Sequence, residues 1–132
     1  MKRLCGAAAL VGVIVVGLSC GDGTGPRAGN LEVRLTSPNS GLDSAIVLTV
    51  TGPEPLTGVT PGTGLRLFQQ PLGGTTTRFA LTGLLTHNQV ILTIGVTDVG
   101  AFGQYSASIQ GIARPNHLLR TLPGGYALAV TR

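Results

Sequence analysis

FALTGLLTHNQVILTIGV, residues 79–96, decides the fold. Two apolar runs flank Thr86, His87 and Asn88, and asparagine tolerates the positive φ that a tight turn demands. Val90, Leu92, Ile94 and Val96 stand at every second position, the spacing of a strand with one buried face. The window 84–94 lacks Gly and Pro and so admits a helix, but Val90, Ile91, Thr93 and Ile94 are β-branched and favour extended backbone. The stretch predicts a β-hairpin.

Outward from this stretch the same period recurs. Leu31, Val33 and Leu35 alternate with Glu32 and Arg34, and Ile46, Leu48 and Val50 alternate with Val47 and Thr49. Further strands are expected at 65–69, 76–82, 105–112 and 126–131, separated by turn chemistry in SPNSG (37–41), GPEP (52–55), TPGTG (60–64), PLGG (71–74), DVGAFG (98–103) and PGG (123–125). Seven or eight short strands in about 100 residues predict an all-β fold, an immunoglobulin-like antiparallel β-sandwich over residues 30–132. A small closed barrel is the alternative. The body resembles the cohesin-like and fibronectin-like modules of bacterial cell surfaces, without the Cys and Trp hallmarks of antibody domains.

Ahead of the body, Met1, Lys2 and Arg3 precede an uncharged run, LCGAAALVGVIVVGL at 4–18. That is the build of a secretory signal peptide, expected as a helix, and it falls short of the roughly 20 apolar residues a membrane span needs. Gly17, Leu18 and Ser19 before Cys20 resemble the lipobox of bacterial lipoprotein precursors, with Gly17 where that family usually has Leu. The resemblance implies that residues 1–19 are a lipoprotein signal, cut between Ser19 and Cys20. It also implies a diacylglyceryl group on the Cys20 thiol and anchorage to an envelope membrane, on the periplasmic side or the cell surface. A plain secretory signal cut near Ser19 is the alternative. A lipid thioether would also remove an unpaired thiol from an oxidising compartment. Residues 20–29 (CGDGTGPRAG) then read as the lipidated cysteine and a flexible tether.

After such cleavage 113 residues remain, with seven Arg, five Asp or Glu and no Lys. The charge of +2 is spread thinly, so no nucleic-acid partner is expected. Without lysine there is no Schiff base, and an acylated Cys20 is no nucleophile. No G-x-S-x-G surrounds a serine, and His87 and His117 fall in expected loops, so no catalytic residue is assigned; Asp98 would be the acid of any Ser/His/Asp triad. Asp22, Glu32, Asp43, Glu54 and Asp98 are scattered, so neither a metal nor a cofactor is expected. Asp98 and Phe102 mark a candidate interaction loop, with Phe102 as a plug at one end of the sandwich as the alternative.

Phe68 and Phe79 are expected in the core, and Tyr105 and Tyr126 each pack one ring face. Arg34, Arg66 and Arg78 should point to solvent, while Arg114 and Arg120 flank a loop and mark a small candidate anion patch. The functional expectation is a membrane-anchored, non-catalytic structural or protein-interaction module with an envelope protein as partner. A small Ser/His hydrolase and a carrier of a small apolar ligand are the alternatives.

Overall fold

The computed structural model describes residues 25–132; the signal segment, the cleavage site at Ser19 and Cys20, the lipidation site Cys20 and the first part of the tether lie outside the described residues. Eight strands follow in order: β1 (Gly29–Thr36), β2 (Asp43–Thr51), β3 (Gly58–Pro61), β4 (Arg66–Gly73), β5 (Thr76–Leu85), β6 (Gln89–Val96), β7 (Ser106–Ala113) and β8 (Ala127–Thr131). A short 3-10 helix, Val99–Gln104, lies between β6 and β7. The strands form two four-stranded sheets, β3-β6-β1-β8 (sheet A) and β4-β5-β2-β7 (sheet B). Every pairing is antiparallel, so the chain is the expected all-β sandwich.

Alternation explains what fills the space between the sheets. β1 turns Leu31, Val33 and Leu35 inward, each at most 1% exposed, and leaves Glu32 and Arg34 outside as an ion pair of 3.2 Å. Ile46, Leu48 and Val50 of β2 and Phe79 and Leu81 of β5 meet them from sheet B. Each such side chain stabilises the fold by about 1.5–3 kcal/mol through apolar surface removed from water.

In β6 a bulge interrupts the alternation. Val33 pairs with Leu92 and Arg34 with Val90, so Ile91 is an extra residue in a β-bulge. Ile91 and Leu92 are consequently both buried.

Four expectations change. Thr86–Asn88 closes no hairpin, because β5 lies in sheet B and β6 in sheet A, although Asn88 does adopt φ 65. Of the seven connections between strands only β4 to β5 stays within a sheet. β3 runs through Thr60 and Pro61, where a turn was expected, and Pro71 lies inside β4; both prolines sit on edge strands, where a missing N–H is tolerated. Phe68 is not a core residue: Leu65 and Leu67 take the inward positions, and Phe68 points outward at 56% exposure. Tyr105 and Tyr126 are buried almost completely rather than by one face.

Phe79→Ala is expected to cost about 3–5 kcal/mol in chemical denaturation, whereas Phe68→Ala is expected to stay within about 0.5 kcal/mol of the parent. Equal losses at the two sites would contradict this register.

Candidate functional site

At the end of the sandwich where the chain enters β1, the loop 98–103 is tied down by its own side chains. Asp98 accepts hydrogen bonds from Gly100 N at 2.9 Å and Arg27 N at 3.3 Å, and Val99 N donates to the Arg27 carbonyl at 2.8 Å. The described end of the tether is therefore held against this loop. Phe102 does not plug the core; it is 37% exposed, and the Arg132 guanidinium lies 5.0 Å from its ring centroid in cation–π geometry. Both residues singled out for an interaction loop thus have partners within the chain.

Beneath the loop, Tyr105 packs so closely on Gly52 that a Cβ at position 52 would overlap its ring. Its hydroxyl is the one buried side-chain polar atom without a hydrogen-bond partner among the described residues. An open cleft of about 440 Å³ beside it is lined by Glu54, Asp98 and Gln104.

The opposite end is built on a buried carboxylate. Asp43 is 1% exposed, and its Oδ1 accepts from Arg120 Nε at 2.7 Å. Its Oδ2 accepts from the Tyr126 hydroxyl at 2.5 Å, and Asn39 Nδ2 donates to that hydroxyl oxygen at 2.7 Å. Arg120 is thus committed to Asp43 rather than free for an anion, and of the expected patch only Arg114 is unpaired among the described residues. Burial pushes the Tyr126 phenol above its ordinary value of 10.0, with the hydrogen bond to Asp43 acting the same way; the Asn39 bond opposes, the Asp43 charge adds, and the Arg120 charge opposes. A raised folded-state pKa favours the neutral phenol, so this stabilisation is present in full below pH 10 and is lost as pH rises through the folded value.

His87 is engaged at this same end. Its Nδ1 accepts from Ser37 N at 3.1 Å, and its own backbone N–H donates to Ser40 Oγ at 2.8 Å. His117 sits in the turn that Arg114 O closes, with φ 68. Asp98 stands at the other end of the strands from both histidines, so the fold assembles no triad from them. Among the described residues no three His, Cys, Asp or Glu side chains gather as metal ligands would.

The surface that sequence reasoning missed is the outer face of sheet B. Its register sets Phe68, Ala80, Val47 and Gly111 in one row across the four strands, and Arg66, Thr82, Ala45 and Ala113 in the next. A bridge adds Leu119 beside Ala113. Between Asp43 and Ala45 the register with β5 slips, which turns Asp43 inward and leaves Leu42 and Leu84 outside at 59% and 63% exposure. Nearer the tether end the rows are polar: Gln70, Arg78, Thr49 and Ser108, with Thr49 and Ser108 hydroxyls 2.9 Å apart. One face therefore has an apolar half and a hydrophilic half.

Tyr126→Phe is expected to cost about 1.5–3 kcal/mol at pH 7, because it removes a hydrogen bond to a buried charge, while Tyr105→Phe is neutral or stabilising. The gap between parent and Tyr126→Phe should narrow above pH 10 as the parent loses the phenol's contribution. Urea denaturation of all three chains across pH 7–11 checks both statements, and an equal cost at the two tyrosines would refute them. No protein-family model matches the chain, and no significant match was found among curated proteins or solved structures.

Proposed function

We propose that the chain is an exported lipoprotein held at an envelope membrane through a diacylglyceryl group on Cys20, and that its sandwich is a non-catalytic module docking another envelope component. The observation that carries the interaction reading is the outer face of sheet B. Phe68, Leu42, Leu84 and Leu119 are each more than half exposed, and they lie on one side of the molecule around a floor of Ala45, Val47, Ala80 and Ala113. Soluble monomers rarely leave so contiguous an apolar surface to water, and larger patches mark contact sites.

The anchor reading rests on the residues before the sandwich: a basic start, an uncharged run, and Ser19 directly ahead of Cys20. Several acyl chains, at about 0.8 kcal/mol per buried methylene, would make such an attachment effectively permanent.

Growth of the native host with radiolabelled palmitate is expected to label the parent chain and not Cys20→Ser, and intact mass should place the mature start at Cys20. A labelled Cys20→Ser chain, or an unmodified thiol in the mature protein, would remove the anchor.

A further inference from the structure

We infer that the apolar half of sheet B's outer face is a docking surface for an anionic lipid bilayer. The inference rests on the reading of this face as the contact surface but not on the lipid at Cys20. Charge is the first reason. Arg66 stands on β4 at one edge of the apolar half, Arg114 lies beyond β7 at the other, and Arg78 lies between them on the hydrophilic side; all three are exposed and none is in a salt bridge among the described residues. Among the described residues the face carries no carboxylate: Asp43 points inward, Glu32 is on sheet A, and Glu54 and Asp98 line the cleft at the tether end. A second copy would oppose arginine to arginine, whereas lipid phosphates complement all three.

The second reason is the chemistry of the apolar part. Ala45, Val47, Ala80, Gly111 and Ala113 offer a partner protein no side-chain donor or acceptor, and the face has neither Trp nor Tyr to act as an anchor. Leu42, Leu84 and Leu119, by contrast, project from three separate segments at the far end of the sheet. Exposed leucines flanked by arginines suit the boundary between headgroups and acyl chains, where arginine stems lie along apolar surface while the guanidinium reaches phosphate.

The chain has no tryptophan, so one indole reports its own position. Full-length Leu84→Trp is compared with Gln70→Trp, on the hydrophilic half, using vesicles of phosphatidylcholine and phosphatidylglycerol with brominated acyl chains. Emission of Leu84→Trp should shift to shorter wavelength and be quenched, with that of Gln70→Trp unchanged, and the same should hold in a Cys20→Ser background. Adding Arg114→Gln should weaken vesicle affinity roughly fivefold, and phosphatidylcholine alone should bind less. Leu119→Trp serves as a second reporter should Leu84→Trp not fold.

Three results would overturn the inference: vesicle-bound chain whose Leu84→Trp indole stays in water, docking indifferent to phosphatidylglycerol, or a concentration-dependent shift without vesicles, which would mean self-association. Loss of vesicle attachment by Cys20→Ser would also count against it, whereas the first result would leave the anchor standing, which palmitate labelling tests separately.

Discussion

A carboxylate cannot remain charged inside an apolar sandwich without partners, and Asp43 organises the far end of this one for that reason. Arg120 and Tyr126 come from the long β7–β8 connection, and Asn39 of the β1–β2 turn bonds the Tyr126 hydroxyl, so the buried charge at the start of β2 ties two further chain segments together. The register slip that points Asp43 inward also points Leu42 and Leu84 outward. The polar lock and the apolar surface are therefore two products of one irregularity, and removing the slip would alter both.

The two ends answer the burial of polar atoms differently. Tyr126 has its hydroxyl satisfied twice over, while Tyr105, wedged against Gly52, leaves its hydroxyl without a partner among the described residues. The first arrangement specifies which groups must meet. The second keeps a large ring in the core at the expense of one hydrogen bond, which a phenylalanine would not forgo.

Much of the fold was legible because period-two alternation depends only on which residues avoid water. Leu31, Val33, Leu35, Ile46, Leu48 and Val50 all lie where that pattern puts them. Strand pairing was not legible, since Asn88 serves equally a hairpin and a link between sheets, and only the partners of β5 and β6 distinguish the two. Bulges were also invisible: nothing local marks Ile91 as the extra residue or the step at Asp43, which exists because distant Arg120 and Tyr126 receive the carboxylate. Phe68 could have been placed by noting that Leu67 beside it competes for the same buried side. The apolar face escaped notice because its rows join residues distant in sequence, as in Val47 to Gly111 and Ala45 to Ala113.

Six of the seven links between strands cross from one sheet to the other, and β1 has as neighbours β6 and β8. Sequence separation of this kind makes folding slow, because loop entropy must be overcome before native pairing stabilises anything. A polypeptide emerging from its amino terminus, whether from a ribosome or through a translocation channel, thus has a first strand with nothing to pair with until most of the chain has followed. During that interval the molecule stays threadable, and holding its early strands apart from other nascent chains falls to whatever receives them.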